Sequence, residues 1–195
     1  SQTRTLGAVH LARIAIRGPC PQPVSYDSVG GGVFVGMTVH DFDMARYVVY
    51  SPLVEAFAEG SVLIDPAIGE AGDVDTAVVV LTHANGAITT IDNSRQAVYG
   101  YDQRVEVLGP KGMLAAGNCT PTTVVAATID GVTADKPLHF FLERYADAYR
   151  LELRHFLDVC TGKAKPLVGI EDGRQALRLA EAAIESLTTR RTVTV

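Results

Sequence analysis

Apolar positions along this chain follow two rhythms. Up to about residue 129, apart from a helical stretch over 38–50, they come in short runs and alternations that suit β-strands. From residue 140 onward they recur every three or four positions, the spacing of an amphipathic helix. Residues 8–17 are mostly apolar, are interrupted by Arg13 and end at Gly18-Pro19, which predicts a strand. Pro19, Pro21 and Pro23 each fix φ and remove a donor, so a stiff extended link should follow. After Gly30-Gly31-Gly32, residues 38–50 take a helical period. Thr38 is the expected N-cap, Asp41 suits the positive end, and Ser51-Pro52 is the stop.

Strands dominate the middle. Residues 53–64 predict one, and residues 75–83 and 87–92 predict two more. The latter two are joined through Ala84-Asn85-Gly86, and Asn-Gly between apolar runs is the strongest short hairpin signal. Residues 104–108 turn through Gly109-Pro110-Lys111-Gly112 into 113–116, and 122–129 end at Asp130-Gly131. Residues 140–160 and 172–187 predict helices, and the stripe Phe141, Tyr145, Tyr149, Phe156 is expected to be core. Strands in one block with helices set apart at the ends predict an α+β fold. The expected architecture is a single domain over 1–195, an open, mostly antiparallel (mixed) sheet of about six strands with helices packed on one face. Valines and isoleucines at 78, 80, 88, 105 and 107 then leave a β face in need of cover, which predicts a homodimer or homotetramer joined sheet to sheet.

Composition narrows the function classes. A 195-residue chain that is 47% hydrophobic and 20% charged is ordinary for a globular domain. The formal net charge of −5 and the lack of any dense Lys/Arg run argue against a nucleic-acid partner. No apolar stretch reaches the roughly 20 residues that span a bilayer, so no membrane role is expected. The start, Ser1-Gln2-Thr3-Arg4, has no apolar core behind it like that of a signal peptide. Cys20, Cys119 and Cys160 are scattered and odd in number, which disfavours a disulfide framework or a Cys-x-x-Cys metal site. A cytoplasmic, reduced protein fits these features. His10, His83, His139 and His155 lie too far apart for metal-ligand spacing, and no metal is expected.

Gly30-x-Gly32-x-x-x-Gly36 running into a helix superficially imitates a dinucleotide-binding turn. That turn depends on a buried strand delivering the chain to free amides at a helix start. Here the preceding residues 19–29 are proline-broken and polar. The glycines instead suggest backbone passing close to another chain, a substrate or a neighbouring domain.

The segment Gly31-Gly32-Val33-Phe34-Val35-Gly36-Met37-Thr38-Val39-His40-Asp41-Phe42-Asp43-Met44-Ala45-Arg46-Tyr47 resembles the second-domain signature of the glucose–fructose oxidoreductase / inositol dehydrogenase / rhizopine-catabolism (Gfo/Idh/MocA) family. The likeness is strongest to its inositol dehydrogenases. It continues through Ile64-Asp65-Pro66, Asp92-Asn93-Ser94-Arg95, Tyr99-Gly100-Tyr101-Asp102-Gln103-Arg104, Gly109-Pro110-Lys111-Gly112, Phe141-Leu142-Glu143-Arg144-Tyr145-Ala146 and Glu171-Asp172-Gly173, nearly the whole chain. The resemblance implies a dihydrodipicolinate-reductase-like C-terminal domain that forms one wall of a sugar site. It also implies a first, dinucleotide-binding domain carrying a Glu-Lys-Pro lysine. Neither that domain nor that motif occurs here, so the chain is expected to bind no cofactor alone, NAD(P) being implied for the full-length enzyme.

Oxidising a secondary alcohol requires a base for the hydroxyl proton, and His40 stands at the histidine position the resemblance assigns to it. Its expected place in the first helical turn would keep the ring neutral and able to accept a proton. A histidine hydrogen-bonded at a helix start is the plainer account. Four residues earlier, where the family's dehydrogenases carry aspartate, stands Gly36. Gly18 likewise stands where relatives often have aspartate, and Asp27-Ser28 where a basic residue is usual. The resemblance also implies a substrate-contacting tyrosine at Tyr99 or Tyr101, Tyr99 first, against the alternative of tyrosines packed at a sheet edge. Asn93 and Arg95 are expected to anchor the same loop, and Asp41 to serve helix-end electrostatics.

Three functions compete on these residues. The first is the substrate-side domain of an NAD(P)-dependent oxidoreductase acting on a polyol or sugar, inactive without a separate or missing nucleotide-binding domain. The second is a free-standing sugar- or polyol-binding or oligomerisation module. The third is a cofactor-independent isomerase or dehydratase using His40 as base.

Overall fold

A computed structural model of the protein describes residues 5–23 and 30–195; the Ser1–Arg4 start and the Asp27-Ser28 pair named above lie outside the described residues. The elements in order are β1 (Leu11–Arg17), a π-helical stretch (Phe34–Thr38) continuing into α1 (Val39–Val49), β2 (Leu53–Ser61), α2 (Pro66–Glu70), β3 (Thr76–His83) and β4 (Ile88–Ser94). They continue with β5 (Asp102–Gly109), β6 (Gly112–Ala116), β7 (Val125–Thr128), β8 (Gly131–Ala134), α3 (Phe141–Arg144), α4 (Ala146–Cys160), α5 (Ile170–Thr189) and β9 (Val193–Thr194).

Seven strands form the main sheet in the order β6-β5-β1-β4-β3-β2-β9, and β7-β8 make a separate hairpin. Every pairing in the main sheet is antiparallel except β1 with β4, which is parallel. The fold is therefore α+β with a mixed sheet. The Asn85-Gly86 hairpin forms as its residues dictate: Gly86 takes φ +85, and Thr82 pairs with Ile88. Residues 122–129 form one strand, shorter than expected, as β7, and the turn at Asp130-Gly131, with Gly131 at φ +140, leads back into β8.

Alternation decides the faces. Along β3, Ala77, Val79, Leu81 and His83 are buried while Val78 and Val80 stay exposed. The buried side is covered by α1 and α5, and Phe42, Ala45, Leu179, Ala180 and Ala183 pack there with Ile14, Ala56, Val79, Leu81 and Ile91. The opposite face exposes Val78, Val80 and Ile88 to solvent. Val107, expected on that face, is buried in a second cluster with Leu6, Ala12 and Val48. His83 is a core histidine, its Nε2 2.8 Å from Thr89 Oγ1 and its Nδ1 3.1 Å from Ser51 O. The loop after β2 is fixed by buried Asp75, whose carboxylate accepts the amides of Leu63, Ile64 and Asp65. Those amides outweigh the burial that opposes charge and hold the Asp75 carboxyl below its ordinary range.

Two expectations about helices are overturned. Thr38 does not cap α1: the helix is already running through Phe34–Thr38, and the buried Thr38 hydroxyl bonds Val33 O (3.2 Å) and Asn93 Oδ1 (2.8 Å). The stripe Phe141, Tyr145, Tyr149, Phe156 is not core. Helix α4 buries no residue, and Tyr149 and Phe156 are 47% and 60% exposed, because the helix stands off the sheet instead of lying on it. Among the described residues no helix is long and apolar enough to cross a membrane, and Cys20, Cys119 and Cys160 are free and exposed.

Candidate functional site

Because β1 and β4 run parallel between antiparallel neighbours, their C-terminal ends finish side by side. Register places Asn93, Ile16 and Gln103 in one row across β4, β1 and β5, on the face that α1 covers. Beyond this row opens a cleft of about 940 Å³. Ile16, Gln103 and Arg95 line its floor, and Gly30, Gly32, Gly36, Met37, His40 and Met44 line the helix side. Phe140, Phe141, Tyr145 and Tyr149 stand opposite with Tyr101. The residues expected to be a core stripe are in large part this aromatic wall.

His40 is exposed and faces the cleft, one turn after Gly36 on the same side of the helix. Its helix-dipole rationale does not hold. The helix begins before Phe34, so His40 lies well past the first turn, where the field of the end amides has faded. Tyr101 lies edge-on to Tyr145, ring centroids 5.9 Å apart, and the Tyr145 hydroxyl donates to Gln103 Oε1. Burial raises both phenols above their ordinary pKa, so they act as neutral hydrogen-bonding groups.

The other expected residues divide. Arg95 lines the cleft and pairs with Asp73 at 2.9 Å. Asn93 sits behind the floor, 2% exposed, and does not reach the cleft surface. Tyr99 is not brought there either. Its hydroxyl donates to Asp102 Oδ2 at 2.6 Å, beside Arg17, which also holds Asp92 at 2.8 Å on the open face. Burial pushes the Asp102 carboxyl up, but bonds from Arg104, Tyr99 and Asn118 prevail and hold it at about 2.

Asp41 is neither exposed nor an ornament of the helix end. It is wholly enclosed, and its Oδ2 accepts Asn93 Nδ2 at 2.7 Å, while Oδ1 has no hydrogen-bond partner among the described residues. Desolvation pushes its carboxyl up to about 8, with the Asn93 amide pulling the other way. Asn93 thus ties Asp41 and Thr38 of the helix to the strand that ends at the cleft. Sequence reasoning missed Gln103 and Tyr145 as lining groups. The signal available was alternation along β5 for the first and the helical period from Phe141 for the second.

No cluster of His, Cys, Asp or Glu with metal-binding geometry occurs among the described residues. A dinucleotide's phosphates do not fit the glycine turn. Asp73 Oδ1 already accepts Val33 N at 3.1 Å and lies 2.7 Å from where a Gly32 Cβ would stand. A carboxylate in that seat repels a second anion.

A sequence model of the GFO/IDH/MocA C-terminal domain matches residues 2–115. The myo-inositol 2-dehydrogenase of Thermotoga maritima is 52% identical over 97% of this chain and 57% of its own length. The inositol 2-dehydrogenase of Rhizobium meliloti is 44% identical over 97% of this chain and 58% of its own. The crystal structure of a probable dehydrogenase from Thermotoga maritima superposes with a TM-score of 0.94 at 52% identity, covering 97% of this chain and 57% of that one. The chain spans little more than half the length of the curated relatives it matches.

Proposed function

The chain belongs to the GFO/IDH/MocA family, matching its C-terminal domain, and from that membership we propose that it forms the substrate-side wall of an inositol-dehydrogenase-like oxidoreductase acting on a polyol or sugar hydroxyl. The observation that carries this reading is the gathering of His40, Tyr101, Gln103 and Arg95 around one cleft at the ends of the parallel strands. A ring hydroxyl set against His40 gives up its proton to the imidazole as the carbinol carbon is oxidised. Tyr101 and Gln103 supply hydrogen bonds to neighbouring hydroxyls, and the aromatic wall receives the ring's C–H face. The hydride acceptor, NAD(P) in the family resemblance, has no seat at the glycine turn. The chain therefore works with a nucleotide-binding domain, on the same polypeptide or on a partner, and is inactive alone. The apolar side chains of α4, Leu153, Phe156 and Leu157, each at least 56% exposed, supply a surface for such a domain.

The test is thermal unfolding of the chain with myo-inositol at millimolar concentrations. Ligand that binds only the native state raises the midpoint, and Tyr101→Ala should diminish the rise. An unmoved midpoint, or NADH production from myo-inositol by the chain alone, would count against this reading. The open sheet face, where Val78, Val80 and Ile88 are 48%, 36% and 43% exposed, supports self-association into a homodimer or homotetramer.

A further inference from the structure

The glycines lining the cleft are not alike, and backbone geometry accounts for only one kind. Gly32 has to be glycine, because its φ is +74 and a Cβ would stand 2.7 Å from Asp73 Oδ1. Gly36 is under no such constraint. It sits inside the π-helical stretch with no positive φ, and a Cβ there meets only Gly30 O, at an ordinary 3.4 Å. Gly18, on the same cleft, is equally unconstrained, the nearest atoms to its Cβ being Arg95 O and Cys20 O at 3.8 Å. Glycine is the costliest residue in a helix after proline. A glycine held there without need from φ or packing, exposed and one turn before His40, points to the space itself as the useful feature.

We propose that Gly36 is a specificity-determining position, and that the room left by its missing side chain takes a substituent carried on the ring of a cyclic polyol whose hydroxyl meets His40. This rests on the reading of the cleft as a polyol site. Positions four apart on a helix are neighbours on one face, so the space at Gly36 lies beside the ring whose hydroxyl meets His40. The cleft is not short of room, since small-molecule sites run from about 300 to 1,000 Å³ and this one is about 940 Å³. A Cβ at Gly36 would meet Gly30 O alone, at 3.4 Å, so the room a side chain would take is open to a small alkyl group on the ligand. The preferred class is thus a ring-substituted polyol, an O-alkylated cyclitol above an unsubstituted one.

Calorimetric titration of the wild-type chain, Gly36→Ala and Gly36→Val with myo-inositol and with its mono-O-methyl ethers tests this. The wild type should bind at least one ether about tenfold tighter than myo-inositol, the scale of discrimination a pocket achieves for one extra carbon. Gly36→Val should erase that preference, weakening the ether about tenfold more than it weakens myo-inositol. Gly36→Ala, the smaller change, should narrow it while unfolding no earlier than wild type. An ether-to-inositol ratio equal in all three proteins, or a wild-type preference for myo-inositol, overturns the role of Gly36 and leaves the polyol cleft standing. Failure of every polyol to bind the wild type overturns the polyol reading and this inference with it. If Gly36→Val fails to fold, the ratio in Gly36→Ala decides.

Discussion

Asp41→Asn tests the interior of the site wall without touching its surface. The carboxyl is fully enclosed, holds one hydrogen bond from Asn93 and titrates at about 8. In an unfolded chain an aspartate titrates near 3.9. Between those values the folded protein keeps a proton the unfolded chain has released. With the unfolded state binding about one proton fewer, stability falls as pH rises, by at most about 1.4 kcal/mol per pH unit. The contribution is whole below about pH 4, declines through the neutral range, and is gone above about pH 8, a ceiling on the order of 5 kcal/mol across the window. Asparagine has the same shape, still offers Asn93 an oxygen and does not titrate, so the variant's profile should lose this slope. Urea unfolding followed by far-UV circular dichroism at intervals from pH 5 to 8.5 measures it, the chain having no tryptophan to report by fluorescence. Relative to the variant, wild type should lose stability steadily from pH 5 to pH 8.5. Parallel curves across the range would mean that Asp41 is ionised and solvated in the folded state, contrary to the structure.

Asp75 should behave in the opposite sense. Its carboxyl is held below the ordinary range by three backbone amides, so its stabilisation is present above about pH 4 and is lost as pH falls through its lower folded value. Asp75→Ala strands those amides and should cost roughly 2–4 kcal/mol at pH 7, with a wild-type advantage that shrinks in acid; an advantage constant down to pH 3 would contradict this. On the open sheet face, Val80→Glu places charge in the exposed valine patch and should shift the wild-type oligomer toward monomer. Light scattering of the wild type at micromolar concentration, if it reports a monomer, removes the basis for sheet-to-sheet association.

The sheet was legible wherever its cause was local. Asn85-Gly86 announces the β3-β4 hairpin because the turn needs a positive φ that Gly86 supplies at +85. The parallel union of β1 with β4 leaves no such mark. It joins residues more than seventy positions apart, Leu11 to Ile88, and follows only from how the whole sheet closes. The helix start was misread for a related reason. Glycine's poor helix propensity argues that residues 30–36 are extended, yet Asp73 capturing Val33 N and Asn93 capturing the Thr38 hydroxyl hold the chain helical there. Both partners are distant in sequence, Asp73 from the loop before β3 and Asn93 from β4, and neither is visible in a local window.

In the site, identity was easier to foresee than direction. His40 and Arg95 both line the cleft, and the tyrosine pair shows why direction failed. Tyr99 and Tyr101 are two positions apart and would share a face in a regular strand. Gly100 between them takes φ +129, and its missing Cβ lets the backbone pass Pro137 O, where a Cβ would come within 2.7 Å. The turn sends Tyr101 to the cleft and Tyr99 to Asp102. Asp41 failed in the same manner. Its place near a helix start suggested a charge interacting with end amides, whereas the helix begins earlier and turns that side chain inward onto Asn93. One misplaced helix start thus explains three separate revisions, to Thr38, His40 and Asp41. Gly36 belongs to the same stretch. Read as loop, its glycine is unremarkable; read as helix, it is an exposed glycine on the cleft that neither backbone nor packing demands.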